Sequence, residues 1–107
     1  MKPGRQLLSM EERQELLASL HPDWQSTADE SAISRLVKVS DFDQALRLVK
    51  RCAALAEQHN HHPDIRFGWG YVEVSYTSHD VHGLTVRDAR SARALDAIIA
   101  ELVDTTD

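Results

Sequence analysis

The sequence predicts an α+β domain in which helices pack on one face of a small antiparallel sheet. Residues 42–60 carry apolar side chains at steps of three and four, the spacing of a helix with one buried face. The predicted buried face holds Phe42, Ala45, Leu46, Val49, Cys52, Ala53 and Ala56. Residues 69–77 are predicted to form a strand with one solvated face. Val72, Val74 and Tyr76 lie on one side, and Tyr71, Glu73 and Ser75 lie on the other. Both patterns occur in a chain of 107 residues, a length typical of a single domain, so we treat residues 1–107 as one domain.

The first predicted helix runs from about Met10 to Leu20. Ser9 and Glu12 have the spacing of a capping box, in which each side chain accepts a hydrogen bond from the other's backbone N–H. The segment 21–23, His-Pro-Asp, ends the helix because a residue before proline disfavours the helical conformation. The predicted buried face holds Leu16, Leu17 and Leu20.

A turn and a strand are predicted next. Trp24 and the polar residues 25–31 favour a turn, and residues 32–39 favour a strand with one buried face. The alternation of this strand is interrupted at Arg35 and Leu36. Its predicted inward side chains are Ile33, Val37 and Val39.

Two further helices complete the predicted domain. Asp41 is a candidate N-cap for the helix over residues 42–60, and Pro63 closes that region and biases His62 towards an extended conformation. Thr85 and Asp88 nearly reproduce a second capping box at the start of the last helix. An apolar stripe continues that helix through Val86, Ala89, Ala92, Leu95, Ile98, Ile99 and Leu102.

Charge and composition exclude several classes of protein. The balance of 12 Lys and Arg against 17 Asp and Glu gives a net charge of -5, without the basic patch that nucleic acid requires, so no direct nucleic-acid partner is expected. Cys52 is the only cysteine, which excludes an intramolecular disulfide and fits a reducing cytoplasm. No secretory signal and no apolar run of membrane-spanning length is visible, so we expect a soluble protein without a membrane partner.

Residues 57–64, EQHNHHPD, place three of the six histidines within four positions. If the helix continues, Glu57 and His61 are an i, i+4 pair on one face, whereas His62 leaves the helix. A carboxylate beside an imidazole stabilises its charged form and can fix its tautomer, which suits a proton donor or acceptor.

Residue types alone leave three interpretations of these histidines open. They could cap the last carbonyls of a helix, they could transfer protons, or they could bind zinc. The zinc interpretation lacks a helical HxxxH spacing and a thiolate ligand. It would draw its ligands from His59, His61, His62, His79 and His82.

The cluster belongs to a longer pattern of spaced residues. Glu57 is followed at defined distances by His61-His62-Pro63, Trp69, His79 and Asp88. This pattern resembles the signature of the pterin-4a-carbinolamine dehydratase family. The likeness covers nearly the whole chain, through EER at 11–13, Trp24, F-x-x-A at 42–45 and GLTxRD at 83–88.

The resemblance implies a fold and a reaction. Members of the family have a four-stranded antiparallel sheet with three helices on one face, and their subunits pair through sheet edges into homodimers or homotetramers. They convert 4a-hydroxytetrahydropterin into quinonoid dihydropterin plus water during tetrahydrobiopterin recycling, without a metal or an organic cofactor. Loss of the hydroxyl needs one proton delivered and a ring N–H proton removed, and imidazole does both near neutral pH.

The resemblance also implies roles for individual residues. His61 and His79 are expected to act as acid and base, and His62 is expected to bind the pterin. Glu57 and Asp88 are expected to support the histidines, and Asp88 could also cap the last helix. Three residues outside these roles are Trp24, which is either a pocket wall or part of the core, and His59 and His82, which are expected at the surface.

Two departures and one alternative qualify this hypothesis. Ile65 stands where the family often has Trp, and GWGYV at 68–72 replaces a stretch commonly written like VYNKV, which affects substrate preference more than reaction type. The alternative is a non-catalytic binding module of the same fold, either a dimerisation cofactor or an assembly chaperone. The intact set of His61, His62 and His79 favours the enzyme.

Overall fold

The computed structural model describes residues 4–103, which form an α+β domain as predicted. This described part of the chain contains four strands and three α-helices, the numbers that the family resemblance implies. A short 3-10 turn, His79–Val81, follows the last strand. In chain order the other elements are α1 Met10–Ser19, β1 Trp24–Ser26, β2 Ile33–Lys38, α2 Phe42–His59, β3 Asp64–Gly68, β4 Tyr71–Tyr76 and α3 Val86–Val103.

The strands form one antiparallel sheet in the order β1-β2-β4-β3, so β1 and β3 are its edges. The inward side chains of the central strand β4 are fully buried, as its alternation predicts: Val72, Val74 and Tyr76. α2 packs against β3 and β4, and α3 packs against α2 and β4. The helices thus cover one face of the sheet. Within residues 4–103 no helix is both long and apolar enough to cross a membrane.

Two strands differ from the sequence prediction. Gln25 and Ser26, predicted to lie in a turn, belong to β1, where Gln25 pairs with Ser34 of β2. β3 was not predicted from the residue pattern. Both strands lie at sheet edges and are short, so few of their side chains enter the core and the periodic signal is weak.

The interruption predicted in β2 is not an interruption in the structure. Arg35 is buried beside the inward apolar residues and forms an ion pair with Asp96 of α3, 2.6 Å between Nη1 and Oδ1. Leu36 faces outwards and is 42% exposed. The strand keeps its alternation because a paired arginine occupies a core position.

The ends of α1 and α2 follow from local hydrogen bonds. The capping box of α1 is confirmed, since Ser9 and Glu12 each accept a hydrogen bond from the other's backbone N–H. Asp41 caps α2, and its carboxylate accepts from the Gln44 N–H at 2.8 Å. α2 ends at His59 because Asn60 adopts the left-handed conformation, with φ 50 and ψ 42.

The buried face of α2 is rotated from the predicted one. Of the predicted stripe, Phe42 is 49% exposed and Ala53 is exposed, whereas Leu48 and Leu55 are buried without having been predicted. The residues that α2 buries are Ala45, Leu48, Cys52, Leu55 and Ala56.

Candidate active site

The carboxylate of Asp88 is fully buried at the first turn of α3. Its Oδ2 atom accepts hydrogen bonds from the Ser78 hydroxyl at 2.8 Å and from the Thr85 N–H at 2.9 Å. Its Oδ1 atom lies 2.6 Å from Nε2 of His61. Asp88 therefore caps α3, as its spacing from Thr85 predicts, and contacts a histidine of the predicted site with the same side chain.

His61 is held on two sides. Its imidazole contacts Asp88, and it stacks on the ring of Tyr76 with centroids 5.9 Å apart and planes 11° from parallel. The residue is only 8% exposed. When Asp88 is ionised it can only accept, so the neutral imidazole carries its proton on Nε2. Nδ1 is then the ring atom that takes up or releases a proton.

Glu57 contacts His62 and not His61, which corrects the predicted i, i+4 pair. The helix ends before residue 61, and the left-handed Asn60 turns His61 inwards towards α3. Nε2 of His62 lies 2.6 Å from Oε2 of Glu57. Their side chains are 58% and 78% exposed, so the buried His61 and the exposed His62 have different environments although they are neighbours.

His79 begins the 3-10 turn directly after Ser78. Within residues 4–103 its imidazole makes no hydrogen bond or ion pair, and it is exposed. It lines a cavity of about 330 Å³ together with Asp29, Ser31, Thr77 and His82. Ser78 donates to the carboxylate that holds His61, so the protein links the two histidines through Ser78 and Asp88.

Trp24 lies in the core, one of its two expected positions. It is 4% exposed, and its Nε1–H donates to Asp96 at 2.7 Å. Its ring centroid is 6.2 Å from that of Tyr76, which stacks on His61. Tyr76 therefore contacts both Trp24 and His61, and Trp24 packs against the site through Tyr76.

His59 is half-buried, so the expectation of an ordinary surface residue is wrong. Its Nδ1 lies 3.3 Å from the hydroxyl of Ser91, which is buried in α3. Burial lowers the pKa of His59, and electrostatic interactions with Arg90 and His61 lower that pKa further. His82 is exposed, as expected, and lies in the left-handed region at φ 56.

Sequence reasoning missed three residues that build the site. Thr85 was noticed only as a helix cap and Tyr76 only as a core residue, while Ser78 carried no signal at all. Ser78 and Thr85 are buried, and their hydroxyl oxygens are 2.8 Å apart. Hydroxyl groups that hold a buried carboxylate are common in proteins, and only the fold shows which ones do so.

The arrangement suits proton transfer. A buried carboxylate that accepts two protein hydrogen bonds orients one imidazole. A second imidazole, that of His79, lies beyond the same network and has no partner among the described residues 4–103. Such pairs are the usual acid–base groups near neutral pH. Among residues 4–103, no three His, Cys, Asp or Glu side chains are arranged to hold a metal ion.

Comparisons with known proteins find similar sequences. The model of the family described as pterin 4 alpha carbinolamine dehydratase matches residues 6–98. A protein of Paracoccus denitrificans, provisionally named pterin-4-alpha-carbinolamine dehydratase, is 44% identical over 88% of this chain and 87% of its own. A protein of Rhodopseudomonas palustris with the same provisional name is 41% identical over 89% of this chain and 93% of its own.

Solved structures share the fold. The transcriptional coactivator/pterin dehydratase of Brucella melitensis superposes with a TM-score of 0.82 at 32% identity, covering 87% of this chain and 98% of that one. A pterin dehydratase-like protein described as a RuBisCO assembly factor in the alpha-carboxysome has a TM-score of 0.55 at 22% identity, covering 77% and 90%. The second likeness concerns the fold alone.

Proposed function

Because the chain belongs to the pterin 4 alpha carbinolamine dehydratase family, we propose that it converts a 4a-hydroxytetrahydropterin into quinonoid dihydropterin and water. The observation that carries the proposal is the His61 imidazole held at 2.6 Å by the fully buried Asp88. A carboxylate with no solvent contact and two protein donors has little freedom to move. It therefore fixes the orientation of the histidine before substrate binds.

The proposed reaction needs two proton transfers. The bond between carbon 4a and its hydroxyl oxygen breaks, and the oxygen keeps the electron pair of that bond. The hydroxyl takes up a proton and leaves as water. The ring N–H next to that carbon loses its proton, and the electron pair of the N–H bond completes a carbon–nitrogen double bond. One imidazole delivers the first proton and another accepts the second, so no external oxidant or reductant is consumed.

We assign these two transfers to His61 and His79. His61 has its orientation set by Asp88, and His79 keeps an exposed imidazole free of protein partners within residues 4–103. His62 and Glu57 form the exposed part of the site, and we assign them to binding of the pterin. These steps use only side chains of this chain and require neither a metal ion nor an organic cofactor.

A non-catalytic binding role is the second candidate. The face of the sheet opposite the helices carries a groove of about 430 Å³ lined by Pro22, Leu36 and polar residues, a surface open to a partner. The Brucella relative is described as a transcriptional coactivator as well as a dehydratase, so both roles can be ascribed to one member. Against a purely structural role, a scaffold has no need of the His61–Asp88 pair.

The proposed assembly is a homodimer or homotetramer formed through sheet edges. β1 and β3 are the edge strands, and a second subunit would satisfy their unpaired backbone groups. We place the protein in the cytoplasm, where the thiol of the buried Cys52 stays reduced.

The proposal is tested with synthetic 4a-hydroxytetrahydropterin and protein freed of metal by a chelator. We expect dehydration above the spontaneous rate, with the product followed by its absorbance. A dehydration rate equal to the spontaneous rate in buffer would reject the enzymatic proposal and would favour the non-catalytic binding role.

A further inference from the structure

We propose that Arg87 and Asp80 form a positioning pair that fixes the turn carrying His79 relative to the His61–Asp88 pair. The inference rests on the proposed function, because it assigns the pair a purpose in catalysis. Arg87 belongs to the GLTxRD stretch at 83–88, and neither the fold nor the proposed chemistry gives it a role.

One guanidinium contacts two parts of the site. The Nη2–H of Arg87 donates to Oδ1 of Asp80 at 2.7 Å, and its Nε–H donates to the Thr85 hydroxyl at 3.3 Å. Asp80 follows His79 in the 3-10 turn, and Thr85 donates its backbone N–H to Asp88. Arg87 therefore joins the turn that carries one proposed catalytic histidine to the cap that orients the other.

His79 is held through its neighbours in the chain. Ser78 on one side donates to Asp88 and exchanges two backbone hydrogen bonds with Gly83, at 2.9 and 3.3 Å. Asp80 on the other side is held by Arg87. Since the His79 imidazole has no protein partner within residues 4–103, its position depends on these flanking contacts.

Charge keeps the pair engaged near neutral pH. The hydrogen bond from Arg87 holds the pKa of Asp80 below its usual range, although partial burial opposes this effect. Arg5 is a second cation near Asp80, but its Nε atom lies 3.6 Å away and its side chain is 86% exposed. Arg87 is thus the cation whose loss should release Asp80.

The pair should matter more to geometry than to stability. The side chains of Arg87 and Asp80 are 32% and 39% exposed, and ion pairs open to solvent contribute little to the free energy of unfolding. A shift of about 1 Å in a catalytic group, by contrast, can lower a rate by up to about a hundredfold.

The test compares Arg87→Gln, Asp80→Asn and the double variant with Arg47→Gln. The control removes an exposed ion pair at 2.9 Å with Asp43, in a different helix. We expect kcat to fall about tenfold in both single variants with KM nearly unchanged, because a reacting group is misplaced while substrate binding persists. We expect the double variant to fall no further than either single variant, since both act through one contact. Arg87→Lys, which keeps the charge but not the planar fork, should lie between wild type and Arg87→Gln.

A readout independent of activity accompanies the kinetics. In ¹H–¹⁵N spectra of the full chain, Arg87→Gln and Asp80→Asn should shift or broaden the His79 amide and imidazole signals, whereas Arg47→Gln should not. The melting temperature of all three should stay close to that of wild type.

The outcomes separate the inference from the proposed function. If His79→Ala abolishes activity while Arg87→Gln and Asp80→Asn leave both kcat and the His79 signals unchanged, the positioning pair is rejected and the enzyme remains. An effect of Arg87→Gln without an effect of Asp80→Asn also rejects the pair, because it traces the role to Thr85 alone. If wild type is inactive, the proposed function fails. If, in addition, the His79 signals of Arg87→Gln and Asp80→Asn match those of wild type, the positioning pair is rejected as well.

Discussion

Asp88 and His61 lie 27 residues apart in sequence, and their side chains meet at 2.6 Å with the carboxylate fully buried. The same carboxylate closes the N-terminus of α3 by accepting from the Thr85 N–H. One side chain therefore stabilises the fold and orients the imidazole, so its substitution should change both stability and activity. The effect on stability and the effect on activity can be distinguished by comparing substitutions of Asp88 with substitutions of other residues.

Substitution Asp88→Asn keeps the shape of the side chain and removes its charge. We expect kcat/KM to fall at least about tenfold, and the free energy of unfolding to fall by about 1 to 3 kcal/mol, because buried donors lose an ionised acceptor. Asp41→Asn is the matched control, since Asn caps a helix as well as Asp does and Asp41 caps α2. Kinetics and urea unfolding of both variants make the comparison, and equal behaviour of the two would contradict the role of Asp88.

Substitution Glu57→Gln weakens the contact with His62 without touching the core. The pair is largely exposed, so we expect a rise of a few-fold in KM, little change in kcat and an unchanged melting temperature. Glu73→Gln, which weakens the Arg66–Glu73 pair on the open face of the sheet, should leave both kinetic constants unchanged. A loss of kcat as large as that of His61→Ala would place Glu57 among the proton-transfer groups instead.

Substitution Tyr76→Phe removes a buried hydroxyl that has no hydrogen-bond partner within residues 4–103. Burial raises the pKa of the Tyr76 phenol, because the ionised form would be poorly solvated there. We expect the free energy of unfolding to stay constant or rise by about 1 kcal/mol, and activity to persist because the ring still stacks on His61. Ser78→Ala is the contrasting variant, since its hydroxyl donates to Asp88, and chemical unfolding should show it to be destabilised.

Cys52 makes stability depend on pH in the alkaline range. Burial raises the pKa of its thiol from 9.0 to about 11. The unfolded chain therefore releases this proton first, so the contribution is complete below about pH 9 and is lost as pH rises through about 11. Its size is on the order of 3 kcal/mol. Urea unfolding of wild type and Cys52→Ala between about pH 9 and pH 11 measures this contribution. The difference in the free energy of unfolding between the two proteins should narrow as pH rises, and a constant difference would contradict the predicted titration of the thiol.

The sequence predicted the parts of the fold that rest on long periodic patterns. α2 and β4 were found because burial repeats along them. The capping box of Ser9 and Glu12 located the start of α1, and the spacing of Thr85 and Asp88 located the start of α3. β1 and β3 were missed because an edge strand of three or five residues buries few side chains. These short elements take their structure from the neighbouring strand rather than from their own pattern.

The sequence named the candidate residues, and the structure corrects which of them contact one another. Helical spacing predicted a contact between Glu57 and His61. Because Asn60 is left-handed and ends the helix, His61 contacts Asp88 instead, and Glu57 contacts His62. Spacing along a chain describes contacts within one element, whereas a contact between the end of α2 and the start of α3 depends on how the helices pack. For the same reason the sequence did not predict the hydrogen bond from Ser78 to Asp88 or the ion pair between the buried Arg35 and Asp96.

The most direct test of the account is the dehydration rate of synthetic 4a-hydroxytetrahydropterin with metal-free wild type, His61→Ala and His79→Ala. His21→Asn, at an exposed histidine outside the site, is the control, and circular dichroism verifies that each variant folds. We predict that both site variants lose at least about tenfold in rate while the control matches wild type. Rates unchanged in both site variants, or wild-type activity that disappears with a chelator and returns with zinc, would contradict catalysis by these histidines.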